Sequence, residues 1–249
     1  MPACLLLFFL FPFVVSLDLF SCTIPRVNYS KEIFLSQYLG QRGVIFTAPH
    51  NHDEARLALS EPFLLREFGN LSVTLASSNA NSYAKRETSL KNYLELHMSE
   101  VTLEQRADEL WYLFGDTLMT SSWAPLHATF RTVREVQEDP LIVWGVGGKF
   151  SGVPFHRHGP VYAEVVLGRK RWYISPPDAR PVFSGNETTY AWAMKGGEED
   201  AVRIQACTLG SGEILYLPLD WWHATLNLDP YTAFISTFTR EAPLKTAEL

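Results

Sequence analysis

The heptapeptide PFHRHGP, residues 154–160, sets His156 and His158 on either side of an arginine. On an extended chain, residues i and i+2 point to one face, about 6.6–7 Å apart along the backbone, so both imidazoles can reach one ion. A third histidine, His223, lies about sixty-five residues further on, in LDWWHATLNL. Strands that distant in sequence are commonly neighbours in closed or double-sheet β folds. Three imidazoles on one inner face would make a facial site for iron, zinc or copper. A plainer reading stays open: the His-x-His pair as hydrogen-bonded surface histidines, and His223 as a core histidine beside Trp222. A rival group, His50, His52 and Asp53 in PHNHDE, falls in an Asn- and Asp-rich stretch and reads as a solvated turn after a strand.

The elements that must position these residues are mostly strands. From residue 141 onward the chain reads LIVWGVG, VYAEVVLG, RWYISPP, VRIQACTL, EILYLP, WHATLNL and TAFISTFT, separated by GGKFSG, GRK, PPDARPVFSGNE, GSGE and LDPY. Many short strands at this spacing predict a sandwich, jelly roll or barrel rather than a parallel α/β sheet. TTYAWAM, inside the long excursion 176–202, predicts one helix. Upstream, VIFTAP (44–49), LSVTLAS (71–77) and LWYLFGD (110–116) read as strands. SEPFLLREFG (60–69) reads as a short helix with Ser60 as N-cap and Gly69 as stop, and SLKNYLELHM (89–98) carries an apolar stripe at helical spacing.

At 249 residues, 47 % hydrophobic and with a formal charge of −6, the chain suits one globular domain with an N-terminal addition. The acidic balance argues against a nucleic-acid partner, and the short basic run Arg169–Lys170–Arg171 does not reverse it. The apolar run Leu5–Val15 has the length of a signal-peptide core, with Val14 and Ser16 small enough for a cleavage site before Leu17. No later segment is long and apolar enough for a membrane span, so the mature chain is expected to be soluble. Sequons at Asn28, Asn70 and Asn186 point to the same secretory route. Cleavage would remove Cys4 and leave Cys22 and Cys207, either as a disulfide or as two buried thiols. The C-terminal KTAEL shares only its last two residues with a lumenal retention signal.

The stretch SGVPFHRHGPVYAEVVLGRKRWYISPP, followed by GEILYLPLDWWHATLNLD, resembles the JmjC domain, a branch of the cupin-like Fe(II)/2-oxoglutarate oxygenases. The resemblance implies a mainly β fold with flanking helices, a double-stranded β-helix or jelly roll. Together with the apolar N-terminal run, it divides the chain into a signal peptide (1–16), an N-terminal elaboration packed on the core (17–109) and a jelly-roll core (110–249). The segments around LSVTLASSNANSYAKRE and LWYLFGD are similar to a small lumenal member of the family, which implies the endoplasmic reticulum lumen. On the family pattern His156 is the first metal ligand and His223 the last, while His158 stands where active members carry Asp or Glu. Lys170 matches a lysine that pairs with the distal carboxylate of 2-oxoglutarate, and Trp222 an aromatic packed under the metal ligand. Val153 replaces a threonine, and Ile235 occupies a position that is often polar and faces the cosubstrate.

These departures weigh on function. Three neutral histidines leave a divalent site at +2 where a carboxylate would leave +1, and they remove a hard oxygen ligand. The favoured expectation is an atypical or non-catalytic JmjC protein, a pseudoenzyme candidate acting by protein binding in the secretory pathway. The alternative is a protein hydroxylase with Fe(II) on His156, His158 and His223 and 2-oxoglutarate on Lys170. Zn(II) is the alternative metal, and a metal enzyme that needs no 2-oxoglutarate is a third reading. Protein partners are expected, and a homo-oligomer stays open.

Overall fold

Two β-sheets close on one another around a shared core. The structure is a computed structural model and describes residues 21–115, 121–133, 140–197 and 203–239. The apolar N-terminal run, its cleavage site, Cys4 and KTAEL lie outside them.

The strands are β1 (Arg26–Val27), β2 (Val44–Thr47), β3 (Ser72–Ser77), β4 (Lys85–Ser89), β5 (Trp111–Phe114), β6 (Leu141–Gly147), β7 (Val161–Leu167), β8 (Lys170–Ser175), β9 (Gln205–Leu209), β10 (Glu213–Leu217), β11 (Trp222–Asn227) and β12 (Thr232–Phe238). The major sheet runs β1-β2-β10-β7-β12-β6-β5-β3-β4, and the minor sheet β11-β8-β9. Within each sheet every pair is antiparallel except β1 with β2. This is the expected jelly roll, with N-terminal strands lengthening both ends of the major sheet.

Alternation along the strands separates the faces. On β7, Val161, Ala163 and Val165 pack against Trp172, Ile174, Cys207 and Leu209 of the minor sheet. Tyr162 and Val166 point outward, into apolar clusters under the flanking segments. Glu164 shares their face.

Among the described residues six short α-helices cover the sheets: α1 (Lys31–Gln37), α2 (Asp53–Ala58), α3 (Glu61–Phe68), α4 (Leu90–Asn92), α5 (Ala124–His127) and α6 (Thr189–Met194). Ser60 and Gly69 bound α3 as the sequence predicts. Thr188 caps α6 by accepting from Ala191 N–H at 3.0 Å. The predicted helix at 89–98 is α4 continuing into a π-helical turn at Tyr93–His97, where the Tyr93 hydroxyl donates to the Val146 carbonyl at 2.7 Å. Both α1 and α2 were absent from the sequence reading, and so was β4.

Cys22 is bonded to Cys207, which fastens the segment before β1 to the middle of β9, an edge strand of the minor sheet. In the loop-entropy account a closure of this length contributes about 5 kcal/mol. Arg171, on β8, reaches the same segment and donates to the Ser21 carbonyl and hydroxyl at 3.1 and 3.0 Å. Arg169 instead pairs with Asp229 at the surface and Lys170 points into the core, so the basic run is dispersed over three environments.

Candidate metal centre

His223 lies on β11. His156 lies just ahead of β7 in an extended loop, not in a strand as the spacing suggested, and an isolated bridge pins it to His223. His156 N–H donates to the His223 carbonyl at 3.0 Å, and His223 N–H returns the bond at 2.9 Å. Further along the loop, Val153 and His158 accept from Thr225 and Asp220 N–H, each at 3.0 Å. The loop runs this close because of Gly152: a Cβ there would sit 1.9 Å from the Thr225 carbonyl oxygen.

Backbone carbonyls fix the tautomers of all three rings. Nδ1 of His156 lies 2.8 Å from the Pro154 oxygen, Nδ1 of His158 2.8 Å from that of Gly159, and Nδ1 of His223 2.9 Å from that of Trp221. A carbonyl only accepts, so each Nδ1 carries the proton and each neutral ring turns a bare Nε2 toward its neighbours. The three ligand atoms fall within 4.8 Å of one another, and Nε2 of His158 and His223 stand 3.0 Å apart. Two lone pairs at that distance repel unless an electrophile lies between them.

Protonation is a poor substitute for a metal. Burial pushes His156 down to about 4, with the neighbouring His158 and Lys170 opposing a further charge. Burial also lowers His158, and burial with its two histidine neighbours holds His223 well below its ordinary value. Imidazoles kept neutral, with N–H fixed to carbonyls and Nε2 converging, are what a divalent transition ion requires. The residues present therefore fit a metal.

The pocket, about 290 Å³, lies between the sheets and is lined by the three histidines with Lys170, Tyr112, Val153, Thr225 and Ser236 among others. Lys170 is buried and donates to Asn227 Oδ1 at 2.9 Å, while its Nζ lies 4.0 Å from the Phe234 ring centroid. Among the described residues no carboxylate pairs with it. Burial lowers its ammonium to about 7, and an incoming carboxylate would restore the charge.

The expectations drawn from the resemblance divide here. Val153 lines the pocket, an apolar group in the place of the family threonine. Ile235 does not face it: Ser236 does, and Ile235 packs on the outer face of the major sheet. Trp222 is not beneath His223, because neighbours on a strand point to opposite faces. Its ring lies near Phe183, Arg157 and Arg180, and Trp172 is the indole beside His223, at 5.9 Å. Thr225, Asn227 and Tyr112 were missed. The first two were readable, since His223, Thr225 and Asn227 recur at the strand period of two.

His50 and His52 do not form a solvated turn with Asp53. Their side chains are only 15 % and 10 % exposed and converge on Glu164, whereas Asp53 points to solvent at the start of α2. The three sequon asparagines, Asn28, Asn70 and Asn186, are all exposed.

Fold and pocket together define the JmjC class of cupin-like oxygenase folds. No protein-family model matches the chain. JmjC domain-containing protein 8 of Rattus norvegicus is 38 % identical over 224 residues, 87 % of this chain and 82 % of that protein. Among solved structures, the ribosomal oxygenase YcfD of Escherichia coli superposes with a TM-score of 0.51 at 18 % identity, covering 87 % of this chain and 53 % of that one. A structure of YcfD in complex with cobalt and succinic acid aligns with a TM-score of 0.50 at 17 % identity over 87 % of this chain and 52 % of that one. The chain belongs to the JmjC domain-containing protein 8 family.

Proposed function

We propose that this protein is an atypical JmjC-fold member of the secretory pathway that holds a divalent metal ion on His156, His158 and His223 and a dicarboxylate oxoacid of the 2-oxoglutarate class against Lys170. The convergence of three tautomerically fixed Nε2 atoms carries the reading. The cobalt and succinic acid of YcfD lend it support, as a divalent ion and a dicarboxylate in the same kind of fold. When bound, Fe(II) would supply dioxygen chemistry at the open end of the histidine set.

The protein's own part is positioning. Lys170 offers a charge-assisted anchor at the apolar end of the pocket, and Asn227 holds its Nζ. Thr225 and Ser236 provide polar contacts along the wall, and Phe234, Phe238 and Trp172 exclude water. The lumenal placement draws its support from the apolar N-terminal run, the exposed sequons and the Cys22–Cys207 bond, since disulfides persist in oxidising compartments.

A second reading, protein binding without turnover, is favoured by His158 and Val153. The first removes the hard oxygen ligand, and the second cannot donate a hydrogen bond to a cosubstrate carboxylate.

Anaerobic titration of the full chain with Fe(II) and 2-oxoglutarate tests both. On the metal reading, metal binds stoichiometrically, 2-oxoglutarate binds saturably, and Lys170→Ala weakens the latter at least tenfold while leaving metal content unchanged. Folded protein that takes up neither ligand would leave the binding role.

A further inference from the structure

The major sheet has a second histidine cluster on the face turned away from the pocket. Glu164 sits in the middle of β7, opposite Ile214 of β10 and Ile235 of β12, so its carboxylate emerges from an apolar surface. It is 5 % exposed. Such a carboxylate is tolerated only with partners, and the segment after β2 supplies two. His50 Nε2 lies 3.1 Å from Oε2, and His52 Nδ1 closes on Oε1. The two rings are tilted, with centroids 4.8 Å apart, and one ligand atom from each of the three residues falls within 4.8 Å of the others.

We propose that His50, His52 and Glu164 form a second divalent transition-metal site. The donor set is two imidazole nitrogens and one carboxylate, the composition that suits Zn(II), Fe(II) or Co(II) and that the pocket between the sheets lacks. Its formal charge with a divalent ion is +1, against +2 for the three-histidine pocket. Three protein ligands leave at least one position for water or a small anion. The cleft that His50 lines with Tyr29, Phe130, Arg131 and Thr132 gives that position access. On the bland alternative, the cluster is an ion-paired clamp fastening residues 48–53 to the sheet.

Zinc itself is the probe. Full chain freed of metal by chelation is dialysed against Zn(II), and its metal content is measured in four forms. The expected counts are two zinc ions per chain in the natural protein, one in Glu164→Gln, one in His156→Ala/His158→Ala, and none in the combination. If the three-histidine pocket takes no zinc, the natural chain holds one ion and Glu164→Gln none, so the two sites fail independently. Equal zinc content in the natural chain and in Glu164→Gln would overturn the proposal. Should that variant not fold, imidazole nitrogen NMR of the natural chain decides: Zn(II) must shift His50 and His52, and unmoved resonances at saturation leave only the clamp.

Discussion

The two His-x-His pairs share a spacing and little else. His156 and His158 lie between the sheets with His223; each of the three gives its Nδ1 proton to a backbone carbonyl, which leaves the Nε2 atoms of His158 and His223 3.0 Å apart. His50 and His52 lie outside the major sheet and find a carboxylate, Glu164, between them. One cluster brings lone pairs together, and the other sets its imidazoles against a carboxylate. The i, i+2 spacing sets only that two rings share a face. What they do there depends on the third residue, brought from a distant strand.

If that contrast is right, the two clusters respond oppositely to loss of a member. Glu164→Ala strands two desolvated imidazoles on an apolar face. It should cost the metal-free chain about 3 kcal/mol, the range for removing one partner of a buried pair, as read in urea melts. An unchanged melt would mean that water reaches the cluster freely.

Acid should separate the clusters by window. His156 is depressed to about 4 in the folded chain, so the unfolded chain binds the extra proton first, near 6.5. Stability is therefore highest above pH 6.5 and falls as pH drops toward 4, by on the order of 2–3 kcal/mol, with His158 and His223 acting in the same direction. Glu164 is also depressed, but from a carboxylate's ordinary value, so its contribution is intact above pH 4.5 and is lost only below it. A His156→Ala variant should make the upper window shallower and leave the lower one unchanged, because His158 and His223 still titrate there. A profile flat from pH 7 to 4.5 in the natural metal-free chain would contradict the burial assigned to the histidines.

The smallest effect has the unexpected sign. His158→Leu should stabilise the metal-free chain by about 1 kcal/mol, because an apolar group replaces a desolvated imidazole facing a second lone pair. The same change should abolish stoichiometric metal uptake by the pocket. Destabilisation instead would show that His158 and His223 share a proton and are already satisfied.

Much of this was legible in the chain. The strands from 141 onward show themselves by alternation and by their breakers, and the pocket histidines with Lys170 by spacing and resemblance. β4 was not legible, because KRETS has no apolar alternation and is positioned only by pairing with β3. The outer cluster was misread because its carboxylate lies 114 residues from His50, and the adjacent Asp53 offered a nearer partner. One signal was available: a lone glutamate in VYAEVVL, an otherwise apolar strand, demands a buried partner. Ile235 was misassigned by one position, and one position on a strand exchanges the two faces of a sheet.

The bond between Cys22 and Cys207, 185 residues apart, makes most of the molecule a covalent ring. A ring cut once is still one piece. A protease entering an exposed turn, such as that carrying Tyr83 at 74 % exposure, would leave two segments that migrate together until a reductant parts them. Shedding of any fragment from within that ring therefore takes two events of different chemistry, one hydrolytic and one reductive, or a pair of cuts in the same loop.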